Sequence, residues 1–259
     1  IIKYDMREEE DIAWQLGIGC GGMVEILLQP VSAKNNYLQL ELLDQCLISN
    51  QNCGYVQALD TAEPNNQALP DKAQYELLQG GIQQRDEQRY FEQLLRPAYC
   101  LAVFGGGLDA RPVVAMAAEL GWQVLLLDPR TGYARIGYFN GALHTYRDTF
   151  EQYQHADWLQ QIDAALVLTH NVKLDAQALK LLQHSQTKYV GLLGPKHRTE
   201  RVLEFLELSV EELNYPLANP VGLRLGGELP ESIALSMIAE VHAYLEHSDG
   251  LSINHMLVN

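Results

Sequence analysis

Short apolar segments alternate with helical patterns through the second half of the chain, and this alternation constrains the fold more than any other feature of the sequence. The segments are predicted to be strands at residues 100–104, 123–127, 164–168 and 189–193. A helix is predicted after the first, third and fourth of them. Because strands that alternate with helices form a parallel sheet with both faces covered, we predict an α/β fold with a Rossmann-like sheet domain, preceded by a smaller N-terminal domain.

The first part of the chain carries different signals. A glycine-rich loop at residues 17–22 leads into an apolar strand, and a Leu-rich face predicts a helix over residues 37–49. Turn-forming residues predict a loop over residues 60–71. Residues 79–89 are polar and contain a Gly-Gly pair, which predicts a linker or an exposed hairpin. We therefore expect an N-terminal domain with its linker, followed by the Rossmann-like domain, over residues 1–92 and 93–259.

The composition excludes several classes of function. The formal net charge is −15, whereas nucleic-acid binding needs a basic surface that displaces counterions, so no nucleic-acid partner is expected. No apolar run approaches the ~18–20 residues of a membrane-spanning helix, so no membrane association is expected. The four cysteines show no C-x-x-C spacing, which favours free thiols in the reducing cytoplasm. The sequence begins with Ile1, so we expect that part of the native N-terminus is missing.

The turn after the first predicted strand fits the pattern G-x-G-x-x-A, with Gly105 and Gly107 as its glycines. Such glycines let the backbone turn tightly and approach a pyrophosphate at a helix N-terminus. Asp128 ends the next strand, near the ~20-residue offset expected of a ribose-binding acid. Asp109, beside the phosphate position, would repel an anion. From the residues alone, a nucleotide site and an inherited scaffold without a nucleotide both stay open.

Two further strand ends carry residues that could act on a ligand. His170 follows the third strand and could serve as an acid, a base or a metal ligand, or be satisfied by local hydrogen bonds. Pro195 is predicted to open a helix whose first turn contains Lys196, His197 and Arg198. Cations there oppose the helix dipole by about 0.3–1 kcal/mol each. A bound phosphate would remove that conflict, unless the side chains simply point into water.

Cys20 lies in the glycine-rich loop, directly before Gly21. Backbone amides exposed by adjacent glycines can cradle an anion and lower the pKa of a thiol. A thiolate there could bind a soft metal or relay sulfur, whereas a buried free cysteine is often inert. The other cysteines, Cys46, Cys53 and Cys100, are predicted to lie in a helix, a loop and a core strand.

Together these segments resemble the xanthine dehydrogenase accessory factor family (XdhC/CoxI type). The matching segments follow the order of that family and cover most of residues 99–245, together with a short N-terminal block. They are Gly17–Gly22 with the strand after it, Phe104–Pro112, Gly121–Arg130, Leu168–His170, Tyr189–Thr199, Pro220–Leu223 and Pro230–Ser236. Each segment alone is unspecific, whereas the combination is specific.

The resemblance implies a non-catalytic accessory factor that binds molybdenum cofactor (molybdopterin) and helps to mature a molybdenum hydroxylase of the xanthine dehydrogenase type. A cysteine desulfurase is implied as a further partner, and fold-level analogy suggests a homodimer. Cys20 would contact molybdenum or its sulfur, and Cys20 and His170 are the candidates for any catalytic role. The residues implied to bind the cofactor are Cys20, Gly21, Gly105, Gly107, Asp109, Asp128, Arg130, His170, Lys196 and Arg198.

Two departures from the family pattern stand out. The Gly-Ser-x-x-Arg-like segment of the family is not found before residue 17, which implies a truncated first domain. The Gly194-Pro195 pair stands where partners of xanthine dehydrogenase tend to have Gly-Ser, which leaves the client enzyme open. An NAD(P)-dependent oxidoreductase, with Asp128 on the ribose and His170 as proton donor, is the alternative hypothesis. An interaction scaffold with a vestigial pocket is a third.

Overall fold

The computed structural model describes residues 1–5 and 23–254. The chain divides into two compact units, residues 1–97 and 98–259. The first unit ends later than the boundary expected at residue 92, because the last strand of its sheet runs to Leu95. Within the described ranges, every helix is too short or too polar to cross a membrane.

The first unit is built mainly from antiparallel strands. Its elements are β1 (Ile2–Asp5), β2 (Met23–Ile26), α1 (Leu40–Ile48), β3 (Cys53–Ala58), β4 (Asn66–Leu69), α2 (Lys72–Tyr75), β5 (Gly81–Arg85) and β6 (Gln88–Leu95). Strand β1 pairs with β2, and the order β4-β3-β6-β5 forms a four-stranded sheet. One buried cluster joins α1 to this sheet through Leu43, Cys46, Cys53, Tyr55 and Ala68.

The structure corrects three expectations for this unit. Cys53, expected in a loop, begins β3 and is fully buried. Strand β4 lies within the predicted loop, residues 60–71. Helix α1 begins at Leu40, because the preceding residues, including Leu38 and Gln39, have left-handed φ values of 57° that an α-helix does not allow. For residues 79–89 the hairpin alternative is confirmed, since β5 pairs antiparallel with β6.

The second unit contains a six-stranded sheet in which all neighbouring strands are parallel. Its elements are β7 (Cys100–Phe104), α3 (Ala110–Glu119), β8 (Gln123–Leu127), β9 (His144–Tyr146), β10 (Ala164–Val167), α4 (Val172–Leu182), β11 (Tyr189–Leu192), α5 (Lys196–Leu206), β12 (Leu217–Ala218) and α6 (Pro230–Leu245). The strand order is β12-β11-β10-β7-β8-β9. The predicted Rossmann-like α/β fold is confirmed.

Alternating side chains of the strands fill a core on each face of this sheet. In β7, Leu101 and Val103 join the cluster formed with α3 and α6, whereas Ala102 and Phe104 join the cluster formed with α4 and α5. Successive side chains of a strand point to opposite faces of the sheet. A strand whose two faces are both covered by helices therefore has apolar residues at most of its positions. This explains why the four longer strands read as continuous apolar runs in the sequence.

The strand order places a crevice at the carboxyl ends of β7 and β10. From β7 the chain runs through β8 to β9 on one side, and then returns to build β10, β11 and β12 on the other. The loops after β7 and β10 therefore leave the sheet in opposite directions. In open α/β sheets such a reversal of strand order is where ligands bind.

Candidate functional site

The glycine turn after β7 is held by close contacts with the protein's own backbone. Gly105 has a φ of +112°, and a Cβ atom there would lie 2.6 Å from the carbonyl oxygen of Leu168, at the end of β10. A Cβ atom on Gly106 would lie 2.3 Å from the backbone nitrogen of Ala134. Only glycine allows these approaches, because an added Cβ atom would overlap main-chain atoms.

Residues 130–135, named here the covering segment, lie over this turn. The amide of the buried Ala134 donates a hydrogen bond of 3.1 Å to the carbonyl oxygen of Gly106. Gly107 differs from its neighbour, because a Cβ atom on it would meet nothing closer than Tyr133, at 3.9 Å. The turn is therefore covered at Gly106 and open at Gly107.

Asp128, predicted to bind a ribose, is buried and fully engaged by the protein. Its Oδ2 accepts hydrogen bonds of 2.7 Å from the Gly106 amide and from Nη2 of Arg130. Its Oδ1 accepts bonds from the backbone amide and Nε of Arg130, at 3.0 and 2.9 Å. A ribose could reach this carboxylate only after displacing Arg130.

Arg130 joins the end of β8 to the end of β10. Besides pairing with Asp128, its Nη1 donates a 2.9 Å hydrogen bond to the carbonyl oxygen of Thr169. Its guanidinium carbon lies 3.7 Å from the centre of the Tyr133 ring. The hydrogen bond to Asp128 raises the pKa of Arg130 above its ordinary value. Arg130 therefore keeps its charge, and that charge is already compensated.

Arg198 is likewise bound to a buried acid. The carboxylate of Asp175, in the first turn of α4, is fully buried and accepts bonds of 3.0 and 2.5 Å from Nε and Nη2 of Arg198. The hydroxyl of Thr169 donates to the other carboxylate oxygen, at 2.5 Å. Arg198 thus anchors α5 to α4, whereas Lys196 is exposed to solvent.

Asp109 and His170 face each other across the crevice. Nε2 of His170 lies 2.7 Å from Oδ2 of Asp109, and both side chains are partly exposed to solvent. His170 has a φ of +56°, in the left-handed region that few residues other than glycine adopt. The hydrogen bond holds these two side chains together beside the glycine turn.

An open cavity of about 440 Å³ adjoins this pair. That volume lies within the range of about 300–1,000 Å³ typical of small-molecule sites. One of its lining residues, Arg111 in the first turn of α3, was not predicted from the sequence. The lining residues are Gly106, Gly107, Leu108, Asp109, Arg111, Gly132, Tyr133 and His170.

Arg111 is held by an aromatic ring. Its guanidinium carbon lies 3.8 Å from the centre of the Tyr138 ring. Its Nε is buried and has no hydrogen-bond partner among the described residues. The sequence could have pointed to Arg111 through its position directly after the G-x-G-x-x-A motif. Its contact with Tyr138 could not be foreseen, because that residue lies far along the chain.

The structure thus brings part of the predicted site together. Gly107, Asp109 and His170 line the cavity, and Asp128 is bound to the Gly106 amide and to Arg130, the first residue of the covering segment. Cys20 and Gly21 fall outside the described residues. Within residues 1–5 and 23–254, no cluster of three His, Cys, Asp or Glu side chains is arranged to hold a metal ion.

Comparisons with known proteins identify relatives of this chain. The profile of the XdhC Rossmann domain matches residues 101–241. A relative from Bacillus subtilis (strain 168), described as a probable xanthine dehydrogenase subunit, is 29% identical over 254 residues, which cover 93% of this chain and 75% of the relative.

One solved structure shares the fold of the whole chain. A crystal structure described as a xanthine dehydrogenase from Bacillus halodurans superposes with a TM-score of 0.74, covering 98% of this chain and 77% of the other at 24% identity. That similarity shows the fold alone. A Rossmann-fold NAD(P)-binding family protein from Shigella flexneri reaches a TM-score of only 0.40, at 13% identity over 59% of this chain and 89% of the other.

Proposed function

Because this chain belongs to the XdhC Rossmann domain family, we propose that it is an accessory factor for a molybdenum hydroxylase of the xanthine dehydrogenase type. In this proposal the chain binds molybdenum cofactor as its cargo, acts without catalysing a reaction, and works in the cytoplasm. The name of the Bacillus subtilis relative, a probable xanthine dehydrogenase subunit, supports the choice of client enzyme.

The observation that carries the proposal is the open cavity at the carboxyl ends of β7 and β10. It combines the open glycine turn at Gly107, the guanidinium of Arg111 and the hydrogen-bonding groups of Asp109 and His170. Molybdopterin combines a pterin, which offers hydrogen-bond donors and acceptors, with an anionic phosphate. A cavity that offers polar side chains and an arginine suits both parts.

Cys20 is the proposed contact to molybdenum or to its sulfur. The soft thiolate is a ligand suited to such a metal, and backbone amides next to glycines such as those beside Cys20 in the sequence can lower the pKa of a thiol. A cysteine desulfurase is then the proposed source of that sulfur, and a homodimer is the proposed assembly.

An NAD(P)-dependent oxidoreductase receives less support from the geometry. That hypothesis needs the carboxylate of Asp128 for a ribose, and both of its oxygens accept hydrogen bonds from Gly106 and Arg130.

The test is cofactor loading. The full chain, a Cys20→Ala variant and a Cys46→Ala control are incubated with molybdenum cofactor, separated from free cofactor, and analysed for molybdenum and pterin. Near-stoichiometric loading of the wild type and the control, with loss in Cys20→Ala, is expected. Absence of loading in all three proteins would overturn the proposal.

A further inference from the structure

Two of the arginines at the carboxyl edge of the sheet are neutralised by buried acids. Arg130 pairs with Asp128, and Arg198 pairs with Asp175. The carboxylate in each pair has a fully buried side chain. A buried acid bound in this way holds its arginine in place and leaves little charge for a ligand.

Arg111 is different. Among the described residues, no carboxylate lies within salt-bridge distance of its guanidinium and no oxygen accepts a hydrogen bond from it. The ring of Tyr138 covers one face of the guanidinium at 3.8 Å and so orients its plane without neutralising its charge. Arg111 therefore brings to the cavity that it lines a cation with no direct ion-pair partner among the described residues, although the carboxylate of Asp109 lines the same cavity.

The neighbouring groups exclude the ordinary dinucleotide arrangement. A dinucleotide places its pyrophosphate on the amides of the glycine turn and its ribose on the acid that ends the second strand. Here the Gly106 amide donates to Asp128, and the covering segment lies against Gly106. The part of the turn that stays open is at Gly107, which lines the cavity together with Arg111.

We infer that Arg111 is the phosphate-binding and specificity-determining residue of this crevice, and that the crevice takes a terminal phosphomonoester and rejects a dinucleotide. This inference rests on the proposed function and deepens it, because molybdopterin carries its phosphate as a terminal monoester. The forked guanidinium binds two phosphate oxygens at once, which a lysine cannot do. Asp109 and His170, which are hydrogen-bonded to each other, line the same cavity.

The test compares Arg111→Gln with Arg201→Gln, which removes the same charge from an exposed position on α5. Binding of inorganic phosphate and of NAD⁺ is measured by calorimetry at fixed ionic strength. We expect phosphate affinity to fall about ten-fold or more in Arg111→Gln and to be unchanged in Arg201→Gln. Arg111→Lys, which keeps the charge but loses the fork, should be intermediate. Melting curves establish that each variant is folded.

Three outcomes would overturn the inference: no phosphate binding by the wild type, equal losses in the two glutamine variants, or tighter binding of NAD⁺ than of phosphate. Cofactor loading separates this inference from the proposed function. If the wild type binds phosphate through Arg111 but takes up no molybdenum cofactor, the proposed function fails and the inference stands. If Arg111→Gln loads as well as the wild type, the proposed function stands and the inference fails.

Discussion

Two adjacent glycines of the same turn should respond in opposite ways to the same substitution. In Gly106→Ala the new Cβ atom would lie 2.3 Å from the nitrogen and 2.5 Å from the Cα of Ala134. In Gly107→Ala the nearest atom would be 3.9 Å away, on Tyr133, and the backbone of Gly107 is not in the left-handed region. Each variant therefore adds one methyl group to the same turn. The group meets main-chain atoms in Gly106→Ala and open space in Gly107→Ala.

The size of the effect follows from these contacts. The overlap at Gly106 is with main-chain atoms, so the covering segment must move by about 1 Å, and overpacking of this kind costs about 1–3 kcal/mol. The movement also breaks the hydrogen bond from the Ala134 amide to the Gly106 carbonyl oxygen, worth about 1 kcal/mol. We expect the free energy of unfolding to fall by about 2–4 kcal/mol. For Gly107→Ala we expect no loss and a gain of up to about 1 kcal/mol, because alanine restricts the unfolded chain.

Thermal unfolding followed by circular dichroism measures the difference. For a unit of this size, each kcal/mol corresponds to about 2–4 °C. Gly106→Ala should therefore melt about 4–16 °C below the wild type, and Gly107→Ala should melt at or slightly above it. Equal melting temperatures for the two variants would refute the packing argument.

Other buried groups give further expected outcomes. Burial raises the pKa of Cys53 to about 11 and that of Cys100 to about 12. At pH 8 both thiols in the native protein should therefore react with iodoacetamide about 100-fold or more slowly than free cysteine. Mass spectrometry measures the rate of this alkylation. Because these pKa values are raised, the folded state binds the thiol protons more tightly. The associated stabilisation is complete below the unfolded pKa near 9 and is lost towards pH 12, so urea unfolding should show the free energy of unfolding falling through that range. Arg198→Gln should lower the free energy of unfolding by about 3–5 kcal/mol, because it leaves Asp175 buried without its counter-charge; a loss under 1 kcal/mol in urea unfolding would contradict this. Asp128→Asn should lower the free energy of unfolding by less, about 1–3 kcal/mol, because the guanidinium of Arg130 is partly exposed and can turn towards water.

The second unit was well predicted from the sequence because its strands are buried on both faces. A parallel strand covered by helices needs apolar residues at nearly every position, and β7 and β8 were predicted with their observed bounds. The two shortest strands, β9 and β12, have three and two residues. Segments that short carry no periodic signal, so these two strands were not predicted.

The first unit shows a different limit. Residues 60–71 contain turn-forming residues, yet Asn66 begins β4 with its side chain buried. Its amide nitrogen donates to the Tyr55 hydroxyl at 2.9 Å and to Oε1 of Gln29 at 2.8 Å. These partners are distant in the sequence, so local turn propensity could not predict them.

The predicted site residues depended on pairings that a motif does not encode. The offset between the glycine turn and Asp128 was found from the sequence. Arg130, two residues later, folds back onto Asp128, and this contact depends on the path of the covering segment. Likewise, the basic turn at Arg198 was found, whereas its buried partner Asp175 lies on the preceding helix.

Two glycines of the motif in this chain are required by close contacts within the protein rather than by a ligand. Gly105 and Gly106 are required because main-chain atoms of Leu168 and Ala134 approach them too closely for any side chain. Neither requirement involves a pyrophosphate, so the motif alone is weak evidence for a dinucleotide. Gly107, by contrast, has no such main-chain neighbour within 4 Å and lines the cavity beside Arg111. The class of ligand is therefore better inferred from the guanidinium of Arg111, unpaired among the described residues, than from the spacing of the glycines.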